Sequence, residues 1–330
     1  MKFRPWGNVE WVLSLSDTVK WDFIGTIGTE DRSITAWKYF KNLGVIKSEF
    51  FSEILDIESP KYAYLNKKCL QERRSQYSAG GGDLSKIKQF GLTDPLYDIQ
   101  AFAENSSDNN KSIILDITSY PKRFFFPILR HLAKSDDVEN LIVTYTSPQR
   151  YAEPKPLYED IEPWTALPGF CELDPDQKKI WIISVGFLVE SLSSYVGDNQ
   201  NEKMCILIPF PASLSVLRRT WESVANLERA HTNNRFSKYR VETFNLSAAF
   251  DQICSLAQGA AGNAIAFAPF GPKPTSAAMC LYASSQEASV HYPQPLIYNP
   301  DYSKGILDND PEKAVNAYWI KHKGTNFYSV

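Results

Sequence analysis

The chain has 330 residues, 43% of them hydrophobic and 13% aromatic, with a formal net charge of −3 at neutral pH. That length accommodates two domains of ordinary size, and the apolar content can fill their cores, which excludes a disordered chain. The near balance of charge excludes strong bulk attraction to DNA or RNA and leaves room for a local basic pocket.

In chain order, the opening MKFRPWGNVEW lacks the apolar stretch of a secretory signal. No later run reaches the roughly 18 apolar residues of a membrane helix. A cytoplasmic protein with no membrane partner is the expectation. In the first half, EWVLSLSD (10–17) reads as a strand and SITAWKYFKNL (33–43) as a helix. SEFFSEILDI (48–57) is a strand, YAYLNKKCLQERRSQY (62–77) a helix, KIKQFGL (86–92) a short strand and PLYDIQAFAEN (95–105) a helix. KSIILDITSY (111–120), KRFFFPILRHLAK (122–134) and NLIVTYTSP (140–148) follow as strand, helix and strand. The stretch 151–178 holds Pro154, Pro156, Pro163, Pro168 and Pro175, which excludes a helix or central strand and marks a linker. Its Trp164, Leu167 and Phe170 are expected to pack on a domain.

The second half alternates more cleanly. KIWIISVGF (179–187), KMCILIPFP (203–211), YRVETF (239–244), NAIAFAPF (263–270) and ASVHYPQP (288–295) read as strands. LVESLSSYV (188–196), SLSVLRRTWESVANLERA (213–230), SAAFDQICSLAQG (247–259) and a segment from about Pro274 read as the intervening helices. Short apolar strands separated by helical stretches indicate a parallel sheet with both faces covered. At the end, Asp310 and Pro311 suit an N-cap and first helical position, predicting that AVNAYWIKHK (314–323) is a helix docked on the second domain.

The halves correspond at three places. Trp11-Val-Leu-Ser-Leu aligns with Trp181-Ile-Ile-Ser-Val. Ser119-Tyr-Pro121-Lys122 aligns with Phe270-Gly-Pro272-Lys273. Tyr145-x-x-Pro148-x-x-Tyr151 aligns with Tyr292-x-x-Pro295-x-x-Tyr298. The fold expectation is α/β: two tandem Rossmann-like parallel-sheet domains related by internal duplication, over 1–150 and 179–330, joined by the linker at 151–178.

Ligands of open parallel sheets sit beyond the carboxyl ends of the strands. The candidate binding residues are therefore Ser184, Gly186, Gly271, Lys273, Thr275 and Ser276 in the second half. Those of the first half are Ser16, Lys122 and Arg123. Lys273 leads: flanked by two prolines, it is pre-ordered for an anion, and Thr275 and Ser276 sit where a helix N-terminus begins. The competing reading makes Thr275 or Ser276 a plain cap and Lys273 a solvated turn residue. Gly25-x-x-Gly28 lacks the dinucleotide fingerprint, and neither a P-loop nor a Gly-x-Ser-x-Gly elbow occurs. Gly80-Gly-Gly82-Asp83 reads as a flexible loop, and Lys67, Lys68, Arg73 and Arg74 as a solvated face. No catalytic apparatus stands out. Asp17 and Asp116 are the carboxylates to weigh as acid–base residues, with Asp56, Glu58 and Glu190 behind them, although a structural tie suits mid-strand Asp116 better. Five scattered cysteines (Cys69, Cys171, Cys205, Cys254, Cys280) and four histidines (His131, His231, His291, His322) lack metal-ligand spacing, so no metal and no cofactor is assigned.

The segment from Phe270 to Tyr298 resembles the last βαβ unit of CRISPR-associated Rossmann-fold (CARF) ligand-sensing domains. The likeness lies in the turn Gly271-Pro-Lys273-Pro-Thr-Ser276, the small-residue helix Ala277–Ala283 and the strand Ala288–Tyr292. It implies paired domains that bind a nucleotide or cyclic oligonucleotide, and carries a ligand-turn role to Gly271, Lys273 and Thr275. The chain departs from the pattern at Pro272. Tyr292 and Tyr298 could stack on a base or simply pack. The expectation is a non-catalytic sensor or regulatory subunit for a phosphate-bearing ligand, working with another protein of a prokaryotic defence system. An enzyme acting on a nucleotide or sugar phosphate and a protein-binding scaffold are the alternatives.

Overall fold

The computed structural model describes residues 3–17, 19–55, 61–107, 111–151, 158–170, 177–186, 202–212, 214–260, 262–301 and 303–330. The helix expected over LVESLSSYV and the residues Asp56, Glu58, Glu190 and Ser213 lie outside the described residues.

The chain runs through β1 (Trp6–Asn8), α1 (Val9–Ser14), β2 (Trp21–Ile27), α2 (Thr35–Asn42), β3 (Ile46–Leu55) and α3 (Ala63–Ala79). It continues through β4 (Lys88–Gly91), α4 (Leu96–Ser107), β5 (Ser112–Asp116), α5 (Lys122–Lys134) and β6 (Asn140–Thr146). The short strands β7 (Arg150–Tyr151) and β8 (Tyr158–Ile161) follow. Then come β9 (Lys179–Ser184), β10 (Lys203–Phe210), α6 (Leu214–Ala230), β11 (Arg235–Glu242), α7 (Leu246–Gln258), β12 (Ala264–Pro269), α8 (Lys273–Ser285) and β13 (Ala288–Val290). The last elements are β14 (Pro295–Tyr298), β15 (Ser303–Lys304), α9 (Pro311–Ala314), β16 (Val315–His322) and β17 (Thr325–Asn326).

These elements form two compact units. One comprises Lys2–Glu162 and Pro295–Phe327; the other is built on Pro163–Gln294 with Tyr328–Val330. In the first, β4-β3-β2-β5-β6 form a parallel sheet, extended beyond β6 by antiparallel β16 and then β1. In the second, β11-β10-β9-β12-β13 are all parallel. Numbered by appearance within its unit, each parallel sheet has the order 3-2-1-4-5, the doubly wound arrangement whose crevice opens between strands 1 and 4. Fully buried strands such as WDFIGTI and NLIVTYT account for their continuous apolar character.

Two sequence expectations are corrected here. EWVLSLSD is not a strand. Asn8 accepts from the Trp11 amide at 3.1 Å, capping α1, and Val9 and Val12 are buried on one helical face. The first strand of the parallel sheet is β2, which its Asp22, Gly25 and Thr26 disguise. Trp11 therefore does not correspond to Trp181. The end of the chain is the second correction. Asp310 does cap, accepting from the Glu312 amide at 3.0 Å, but the helix stops after four residues. Val315-Asn-Ala-Tyr-Trp-Ile-Lys-His322 then forms β16 in the first sheet, as its β-branched and aromatic content favours. The linker residues Trp164, Leu167 and Phe170 pack on the second unit: Trp164 meets Phe270 with ring centroids 5.2 Å apart, and the Leu167 amide donates to Val290 O at 2.7 Å.

Trp319 joins β16 to the core of the first unit. It is 1% exposed, meets Trp21 edge-on at 5.6 Å, and its indole N–H donates to Val12 O at 2.8 Å. Replacing Trp319 with Ala is expected to cost about 3–5 kcal/mol, read from the denaturant midpoint. A loss under about 1 kcal/mol would show that β16 is not part of that core.

Candidate functional site

In the second unit, β9 and β12 run side by side with Ser184 opposite Pro269. Past that pair the two backbones come together. A Cβ on Gly186 would stand 2.2 Å from the Phe270 carbonyl oxygen, and one on Gly271 would stand 1.8 Å from Ser184 Oγ. Gly186 is held to glycine by a backbone clash, whereas a side chain at 271 would have to displace the Ser184 hydroxyl, which points at the turn that starts α8. Pro272, with φ −54° and ψ 149°, is the N-cap of α8 and makes no side-chain cap. Lys273, Pro274 and Thr275 form its first turn.

Two hydroxyls at this turn have no hydrogen-bond partner among the described residues: Ser184 Oγ, in a residue 1% exposed, and Thr275 Oγ1, in a residue 2% exposed. Leaving a buried hydroxyl unmatched costs about 1–3 kcal/mol, so such pairs are uncommon without a reason. Ser276 is different: its hydroxyl donates to Gly271 O at 3.5 Å, and its amide to Pro272 O at 3.0 Å. It closes the turn. Prolines at 272 and 274 also remove two amide donors that an ordinary helix start would present. The donor groups at this turn are then the Lys273 ammonium, the two hydroxyls and the remaining first-turn amides.

The first unit has the same turn after its fourth strand. Pro121, φ −57° and ψ 151°, is the N-cap of α5, and Lys122 follows. Here the surroundings differ. Arg123 reaches Glu162 at 3.3 Å and Thr93 O at 3.3 Å. Lys122 is partly buried, and desolvation pulls its ammonium down to about 7. Tyr120 is fully buried; its hydroxyl donates to Gly25 O and accepts from Ser52 Oγ, both at 2.8 Å.

Of the other expected site residues, Ser16 and Asp17 follow α1 rather than a strand, and the Asp17 side chain is 99% exposed beside Lys323 at 3.6 Å. Asp116 is buried and accepts from the Thr118 amide at 3.2 Å, from Thr118 Oγ1, and from Thr144 Oγ1 at 3.2 Å. That is the structural tie. Tyr292 is buried against Phe270, with centroids 5.9 Å apart, and Tyr298 lies in β14 of the other unit. Of the stretch read as a solvated face, Lys67 and Lys68 are exposed and Arg74 is partly so while gripping Glu53 through two 2.7 Å bonds, but Arg73 is buried and lies 3.3 Å from Asp31. Gly82 is not a free loop, because a Cβ there would stand 2.3 Å from the Tyr77 ring. Sequence reading missed Glu30 and Arg32, on the loop after β2. Arg32, 2% exposed, pairs with Glu30 at 2.8 Å and donates to Tyr145 Oη at 2.9 Å and Thr146 O at 2.6 Å. A charged Glu-Asp-Arg triplet straight after a buried strand was the signal.

Among the described residues no helix is long and apolar enough to cross a membrane, and no group of three or more His, Cys, Asp or Glu is placed to hold a metal ion. No protein-family model matches the chain, and no curated protein does. Among solved structures, the cytoplasmic domain of a prokaryotic cation chloride cotransporter aligns at 9% identity and a TM-score of 0.24, over 84% of this chain and 96% of that one. A putative universal stress protein from Pseudomonas aeruginosa aligns at 14% identity and a TM-score of 0.25, over 84% and 94%.

Lys122 gives a pH prediction. Its ammonium is disfavoured in the folded state, about 7 against the ordinary value near 10.4. The unfolded chain thus holds more protons between these values, and stability rises as pH increases from 7 to 10. Lys122→Met should raise stability at pH 7 and flatten that rise, measured by urea unfolding across the range. Parallel profiles for the two proteins would contradict it.

Proposed function

We propose that the chain is a binding protein, a sensor or regulatory subunit, which takes a phosphate-bearing, nucleotide-type ligand at the N-terminus of α8. The observation that carries this reading is the pair of buried, unmatched hydroxyls, Ser184 and Thr275, beside Lys273 at the mouth of a β9–β12 crevice. Phosphate oxygens accept from hydroxyls, amides and ammonium alike, so one anion would satisfy all of them. A doubly wound sheet opens its crevice at this point. The β12–α8–β13 unit is also the part that resembles CARF sensors, and on that resemblance the proposal extends to a partner protein in a prokaryotic defence system. The carboxylates weighed for acid–base chemistry do not favour an enzyme reading: Asp116 is held by Thr118 and Thr144, and Asp17 stands in solvent.

Ser184→Ala separates a binding role from a structural one. Removing an unmatched buried hydroxyl should stabilise the free protein by up to about 1 kcal/mol and weaken the ligand. Lys273→Ala should weaken the ligand with little change in melting temperature. The measurement is a thermal-shift panel of nucleotides, cyclic oligonucleotides and inorganic phosphate, where a ligand at about 100 times its Kd adds roughly 2.7 kcal/mol. A Ser184→Ala protein that melts lower and binds unchanged would contradict the reading, as would the absence of any shift across the panel.

A further inference from the structure

The shared strand order offers two crevices of one kind, and their contents differ. In the first unit, position 120, just before the N-cap proline, carries a tyrosine where the second unit has Gly271. The Tyr120 hydroxyl is already used as donor to Gly25 O and as acceptor from Ser52. The loop after β2 supplies its own anion. Glu30 faces the Arg32 guanidinium through bonds of 2.9 and 2.8 Å, and accepts from Ser303 Oγ as well. Arg32 lies over the Tyr145 ring, 5.2 Å from its centroid, and donates through Nη1 to Tyr145 Oη and Thr146 O. Arg123 is engaged by Glu162. Ser119 Oγ and Thr146 Oγ1 lack partners there, but the neighbouring guanidinium groups are committed to carboxylates. The second crevice shares the helix-start lysine and a pair of hydroxyls with no partner among the described residues, here Ser184 Oγ and Thr275 Oγ1, but it has no side chain at 271 to fill it.

We infer that the chain binds one anionic ligand rather than two, in the second unit alone, because the first unit's crevice is occupied by its own Tyr120 and by the Glu30–Arg32 pair. Carboxylate stands in for phosphate in the first unit, and the site there is structural. This rests on the reading above, that the α8 turn takes a phosphate-bearing ligand.

Equilibrium dialysis of the full chain tests it, with ATP as one probe and inorganic phosphate as the other. One equivalent bound per chain at saturation is expected. Lys122→Met, in the first crevice, should leave that number and the affinity unchanged. Thr275→Val combined with Lys273→Ala should reduce affinity at least tenfold, with a cooperative urea transition confirming that the variant is folded. Two equivalents per chain, or one equivalent that survives the Thr275/Lys273 change, would overturn the single-site inference while ligand binding itself stood. No binding of either probe would overturn the functional reading and this inference together.

Discussion

Ser184 Oγ and the Cα of Gly271 press on the same small volume at the carboxyl edge of the second sheet. With any side chain at 271, a carbon would stand 1.8 Å from that oxygen. The absence of a side chain at 271 is what lets the turn and the serine share this space. The serine hydroxyl stands there with no hydrogen-bond partner among the described residues. Everything proposed about function follows from this arrangement. A buried hydroxyl held in place without a partner raises the free energy of the unliganded protein, and a phosphate oxygen is the kind of group that would lower it.

The first unit solves the same geometric problem in another way. Its fourth strand also ends in a Pro-Lys helix start, with N-cap angles within a few degrees of those in the second unit. Yet a tyrosine crosses to the first and second strands of the parallel sheet, and an arginine is matched by a glutamate two residues before it on the same loop. The Tyr120 hydroxyl and the Arg32 guanidinium thus find partners inside the chain, while Ser119 Oγ and Thr146 Oγ1 find none among the described residues. The same unit also recruits the end of the polypeptide: β16 lies antiparallel on β6, so the first sheet is completed only after the second has been threaded. That adds the β6–β16 and β1–β16 pairings between residues far apart in sequence, and such long-range contacts slow folding.

Much of this was legible in the residues. Apolar strands alternating with amphipathic helices disclosed the parallel sheets, and Pro121-Lys122 and Pro272-Lys273 fall at equivalent turns. Three things were not legible. β2 carries an aspartate, a glycine and a threonine, so its burial is visible only once the helices cover it. The Asp310-Pro311 start is a genuine cap, but local signals begin a helix without saying how long it runs, and β-sheet pairing with β6 overrides it after one turn. The Glu30–Arg32 pair depends on Tyr145 and Thr146, more than a hundred residues away, and no local pattern encodes such a contact. In the site itself, Lys273, Thr275 and Ser184 were readable from strand ends. That Ser276 is spent on closing the turn required the coordinates.

The most direct test is a crystal structure of the full chain grown with ATP, or with phosphate, and inspected for difference density at both helix starts. Density within about 3 Å of Ser184 Oγ and Thr275 Oγ1, with Lys273 turned toward it, is the predicted result. A ligand seated at the α5 turn of the first unit instead, or the Ser184 hydroxyl satisfied by a protein carbonyl with no anion nearby, would contradict the account.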